Sequence, residues 1–135
     1  MEITRETDYA IRCVLHLSEA PNNVIMVDEI AKAKSIPKSF LSKILQKLAK
    51  ANIVKSYRGV RGGFQIAKAP REINLLDVID AIEGPVAMNR CAVSRKVCSL
   101  SCNCAVHPIW VELRKDVEKK LRKTDFAKLI ESQKR

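Results

Sequence analysis

Between Pro37 and Ala51 the chain sets Phe40, Leu41, Ile44, Leu45 and Leu48 at helical spacing. Lys38, Ser39, Ser42, Lys43, Gln46 and Lys47 fill the opposite face. An apolar stripe opposed by a polar face is the pattern of a helix laid on a core. Its neighbours narrow the fold. Upstream, Ala10, Ile11, Val14, Leu15 and Leu17 predict a helix over about 4–20, ended by Pro21-Asn22-Asn23. A short helix follows over about 27–34, with Asp28 and Glu29 suited to its positively polarised first turn. Ser35-Ile36 makes the turn, and Pro37 fits the start of the third helix. Downstream, two β-prone runs, Ile53–Tyr57 and Phe64–Ala67, flank Arg58-Gly59-Val60-Arg61-Gly62-Gly63, and glycines permit the positive φ of a hairpin. This order predicts a mainly α chain: a winged helix-turn-helix with a two-stranded wing.

A further helix is expected over about 75–83, stopped by Gly84-Pro85, and residues 86–105 show no sustained period. From Val106 a long C-terminal helix carries Val106, Ile109, Trp110, Leu113, Val117 and Leu121 in one stripe, read as a dimerisation surface, with packing on the same subunit as the alternative. Thr124-Asp125 can cap a last short helix. The expected organisation is a DNA-binding unit over 1–85, a cysteine-rich loop over 86–105, and the dimerisation and last helices over 106–135. A chain of 135 residues with 4% aromatics has a modest, aliphatic core, which dimerisation would supplement. The charged N-terminus does not resemble a signal peptide. No run approaches the roughly 18 apolar residues of a membrane span, so a cytoplasmic protein without membrane contact is expected.

Charge is distributed unevenly. From Ile30 to Arg71 there are eleven Lys or Arg and no Asp or Glu, against a net +10 for the whole chain. Lysines on an amphipathic helix can be no more than a solvated face, but solubility is served by mixed signs, and this stretch has one. A polyanion is the better explanation. The polar face of the third helix suits the major groove: Lys38, Lys43 and Lys47 for phosphate or guanine, Gln46 for adenine, Ser39 and Ser42 for phosphates. Arg58 and Arg61 would sit on a slim wing tip able to approach a phosphate or enter a narrow minor groove. Tyr57 could donate to a phosphate or pack beneath the wing. No aromatic-rich sheet offers a stacking platform for RNA bases, which favours double-stranded DNA.

The second concentration of chemistry is Cys91-x6-Cys98-x3-Cys102-x-Cys104-x2-His107. In a reducing compartment, clustered thiols suggest metal ligation or redox chemistry before disulfides, and five cysteines cannot all pair. Thiolates with a neutral imidazole suit a soft metal. The spacing is not the paired CxxC of a zinc ribbon, and by itself it leaves an iron–sulfur cluster and zinc open, with a metal-free thiol switch third. Cys13 falls within the apolar pattern of the first helix and reads as a small buried hydrophobe. His16 is isolated from every cysteine and reads as a surface or capping residue.

The order of elements, the wing Ser56-Tyr57-Arg58-Gly59-Val60-Arg61-Gly62-Gly63-Phe64, and Cys-Ala followed by Cys-x5-Cys-x2-His-x2-Trp resemble the IscR/NsrR family of bacterial iron–sulfur transcription regulators. The resemblance runs from Thr4 through the helix after His107. It implies a homodimer on a pseudo-palindromic operator, with a cluster between the wing domain and the dimer helix. It also implies ligands at Cys91, Cys98 and Cys104, and at His107 in [2Fe-2S] members. [2Fe-2S] is therefore expected ahead of [4Fe-4S]. The first gap is six residues here, where the commoner pattern has five, and Cys102 is an addition. Asp8 stands where [4Fe-4S] relatives that sense nitric oxide use a carboxylate from the partner subunit, so Asp8 and Cys102 are the alternative fourth ligands.

Two other classes remain. One is a zinc-stabilised or cluster-free, thiol-sensing DNA-binding protein. The other is a thiol oxidoreductase using Cys102-Asn-Cys104, but the chain lacks the βαβ setting of such a site and no other catalytic constellation is visible, so no enzyme is expected.

Overall fold

The computed structural model describes residues 2–86 and 104–134. Helix α1 (Arg5–Glu19) opens at Thr4, whose side chain accepts from the Thr7 N–H, and buries Ala10, Cys13, Val14 and Leu17. Helix α2 (Val27–Lys34) ends at Ser35, in the left-handed region at φ 53°, whose N–H donates to the Ala31 carbonyl. That left-handed residue turns the chain into α3 (Lys38–Lys50). Pro37 stands as its N-cap, one position outside the helix rather than within it.

Leu41, Ile44, Leu45 and Leu48 of α3 are buried in one core with the α1 residues. Each such side chain is worth about 1.5–3 kcal/mol on burial. Phe40 departs from the expected stripe. It lies to one side of the 41/44/45/48 row, is 44% exposed, and sets its ring edge-on to Tyr9 at 5.8 Å.

The wing pairs β1 (Val54–Tyr57) with β2 (Gly63–Ile66) in antiparallel register, Val54 opposite Ile66 and Tyr57 opposite Gly63. Gly59 supplies the positive φ of the tip at 108°. Ile25, between α1 and α2, forms a bridge on the other edge of β2, exchanging backbone hydrogen bonds with Phe64 at 2.8 and 2.9 Å. That third segment passes so close to Gly63 that a Cβ there would collide with the Ile25 carbonyl. The wing is thus anchored to the loop ahead of α2.

A 3-10 turn (Pro70–Glu72) leads into α4 (Leu75–Glu83), whose Asn74 and Asp77 form a reciprocal capping box. Helix α5 (His107–Lys123) lies on α4: Val117 and Leu121 pack against Leu76, Ile79 and Val86. Helix α6 (Phe126–Gln133), capped by Asp125, returns to the first core and buries Phe126 completely. The return is fastened by two backbone bonds of 3.0 Å, Leu75 N–H to the Thr124 carbonyl and Phe126 N–H to the Ile73 carbonyl. Among the described residues no helix is long and apolar enough to cross a membrane.

Candidate nucleic-acid interface and cysteine segment

The outer face of α3 presents Lys38, Ser39, Ser42, Lys43, Gln46 and Lys47, all exposed. They follow from the register that buries Leu41, Ile44, Leu45 and Leu48: what remains on a 3.6-residue turn faces out. Two of the lysines are engaged by acids from other helices. Lys38 Nζ lies 2.7 Å from Asp28 Oδ1, and Lys47 Nζ donates to Glu6 Oε1 at 2.8 Å. The Ser42 hydroxyl donates back to the Lys38 carbonyl at 3.2 Å.

A cleft separates the start of α3 from the wing, lined by Asp28, Lys38, Ser42, Ser56, Tyr57 and Arg58 among others. Tyr57 is half-exposed there rather than packed beneath the wing. Arg58 and Arg61 are exposed, and between them Val60 is 97% exposed. Sequence reasoning assigned Asp28 only a place in the first turn of α2 and passed over Glu6. No local signal pairs them with α3, because each meets its lysine only once three helices have packed.

Of the sequence-predicted ligands, Cys91, Cys98 and Cys102 lie outside the described residues, as does most of the expected cysteine loop. Cys104 is a free thiol, half-buried, just ahead of α5. His107 is the first residue of α5 and only 6% exposed, and its N–H donates to the Cys104 carbonyl at 3.3 Å. Its ring Nδ1 is buried without a hydrogen-bond partner among the described residues. Among the described residues no side chain caps the N-terminus of α5, and no acid stands in its first turn, which leaves that end its positive polarity. Asp8 is exposed on the first turn of α1 and held by Arg12 Nη2 at 2.7 Å. His16 is half-buried in the last turn of α1, with Nε2 enclosed and unpartnered among the described residues. Among those residues no three His, Cys, Asp or Glu side chains gather as a metal site.

A short helix, a left-handed turn, a helix with a basic outer face and an arginine-tipped hairpin make up a winged helix-turn-helix DNA-binding protein. The chain belongs to the Rrf2 family, whose model, described as an iron-dependent transcriptional regulator, matches residues 3–132. A protein of Aquifex aeolicus described as a helix-turn-helix-type transcriptional regulator is 32% identical, the match covering 90% of this chain and 86% of that one. Two solved structures share the fold at 22% identity. One is CymR, the global cysteine regulator of B. subtilis (TM-score 0.78, 98% of each chain covered). The other is IscR of T. potens (TM-score 0.75, 98% of this chain and 88% of that one). The likeness to IscR-type regulators read from the sequence is borne out, and the protein is a DNA-binding transcription regulator, not an enzyme.

Proposed function

We propose that the protein is a homodimeric regulator whose hold on a pseudo-palindromic operator is set by an iron–sulfur cluster at Cys91, Cys98, Cys104 and His107. [2Fe-2S] is preferred to [4Fe-4S], with Asp8 or Cys102 as the alternative fourth ligand. The observation that carries this reading is His107. An enclosed imidazole nitrogen without a partner costs about 1–3 kcal/mol; His107 Nδ1 has none among the described residues, and it opens α5 three positions after the free thiol of Cys104. A soft, electron-accepting group suits that donor set. When bound, such a cluster supplies a redox- and nitric-oxide-sensitive centre. This chain's residues would do the rest: the Cys104 thiolate favoured by the partial positive charge of α5, and the His107 imidazole fixed by burial.

Val106, just ahead of α5, and Ile109 and Leu113 on its first two turns are exposed and would form the dimer seam. Two α3 helices would then enter major grooves about one turn apart. A ligand state that favours one arrangement of the two heads by about 2 kcal/mol changes operator affinity roughly 30-fold.

The likeness to CymR favours a second reading, a cluster-free thiol sensor. Anaerobic purification, read by visible absorption and by iron, sulfide and zinc analysis, separates the two. Coloured protein with two iron and two sulfide per subunit is expected. Four of each would move the fourth ligand to Asp8 or Cys102. Colourless protein carrying zinc, or metal-free protein that resists reconstitution, would overturn the cluster.

A further inference from the structure

Asp28 is the one carboxylate among the described residues lining the cleft between α3 and the wing. It stands just ahead of the acid-free stretch, and the turn at Ser35 folds it back onto the first residue of α3. Its Oδ1 is 2.7 Å from Lys38 Nζ, and both side chains are more than half exposed. The same cleft holds Ser42, Ser56, Tyr57 and Arg58, groups suited to a phosphate backbone. An acid in that position does two things to an approaching duplex. It occupies the lysine that would otherwise meet a phosphate, and it repels the phosphate itself. The hydrogen bond and charge of Lys38 hold the Asp28 carboxyl below the ordinary carboxylate range, so it stays ionised at neutral pH.

We propose that Asp28 is a specificity-determining residue of the DNA-binding face: by holding Lys38 off the phosphates it suppresses binding to random sequence more than binding to the operator. On random DNA nothing replaces the Asp28–Lys38 pair except another ion pair, so the exchange brings little. On the operator, base contacts from the rest of α3 seat the helix deeply enough for Lys38 to leave Asp28 for a guanine edge or a fixed phosphate. The carboxylate thereby raises the ratio of specific to non-specific affinity by lowering the second term. The proposal needs only the DNA-binding fold and is independent of what the cysteines hold.

The test uses the full-length protein, one duplex selected from a random pool by the wild-type protein and one scrambled duplex of equal length. Dissociation constants are measured across a salt series for wild type, Asp28→Asn, Lys38→Gln and the double variant, with melting temperatures as a check on folding. Asp28→Asn is expected to tighten scrambled-duplex binding roughly 3- to 10-fold at physiological salt and to steepen its salt slope by about one counterion. The gain on the selected duplex should be smaller. In the Lys38→Gln background most of that effect should vanish. Equal gains on both duplexes would reduce Asp28 to a general charge term and overturn the proposal. So would an unchanged scrambled-duplex affinity, or the same gain persisting without Lys38.

Discussion

Cys13 and Cys104 are both free thiols in different surroundings. Cys13 is fully enclosed by α1, α3 and their neighbours, and burial pushes its thiol up to about 12. Cys104 is half-buried ahead of an uncapped helix. In metal-free protein at about pH 8, iodoacetamide should therefore modify Cys104 and spare Cys13 until the fold is lost, since the thiolate is the nucleophile. Peptide mass spectrometry showing equal labelling in the native state would contradict this. Glu83, the last residue of α4, carries a pH signature. Burial alone would raise its carboxyl, but the Thr4 N–H at 2.8 Å and the hydroxyls of Thr4 and Thr7 outweigh that and hold it below its ordinary 4.5. A depressed carboxylate stabilises the fold above its unfolded pKa and loses that contribution as pH falls through the folded one. Glu83→Gln should lower stability at neutral pH, by less than about 1 kcal/mol for so exposed a group, and converge with wild type at a pH acid enough to protonate the carboxyl in the folded state. A gap that stays constant down to that pH would assign the effect to packing.

Among the elements, α6 is the one whose importance is least visible in its own sequence. Phe126 is 0% exposed in the core built by α1 and α3. Phe126→Ala should cost about 3–5 kcal/mol in urea denaturation, whereas Val60→Ala at the wing tip should cost next to nothing. A loss for Phe126→Ala below about 1 kcal/mol would mean that α6 only rests on the core. The helices over 27–34 and 75–83, the cap at Asp125 and the glycine-tipped hairpin were all legible, because period, caps and turn residues are local properties. What was not legible is long-range. Nothing near Ile25 announces its bridge to Phe64, and nothing near Phe126 says which core it enters. The α5 stripe was legible as apolar but not as divided: Val117 and Leu121 face α4 of the same subunit, and Val106, Ile109 and Leu113 face out. At the candidate site, the α3 face followed from the period, while the Asp28 and Glu6 partners needed tertiary packing.

At the scale of the whole molecule, that division says where two copies would meet in the proposed dimer. Ile109→Asp combined with Leu113→Asp should yield a monomer by light scattering with an unchanged circular dichroism spectrum, because both side chains already face solvent in the single subunit. A dimer that survives both charges would place the seam elsewhere. Helix α5 is also bound at its far end, where Thr124 and Phe126 hydrogen-bond to Leu75 and Ile73. The first core is thus filled partly from α6, through Phe126, and the fastening at Thr124 and Phe126 ties α5 to the same core. A chain cut ahead of Phe126 would leave that space in the core unfilled, and its DNA-reading head is expected to unfold more readily than that of the whole chain.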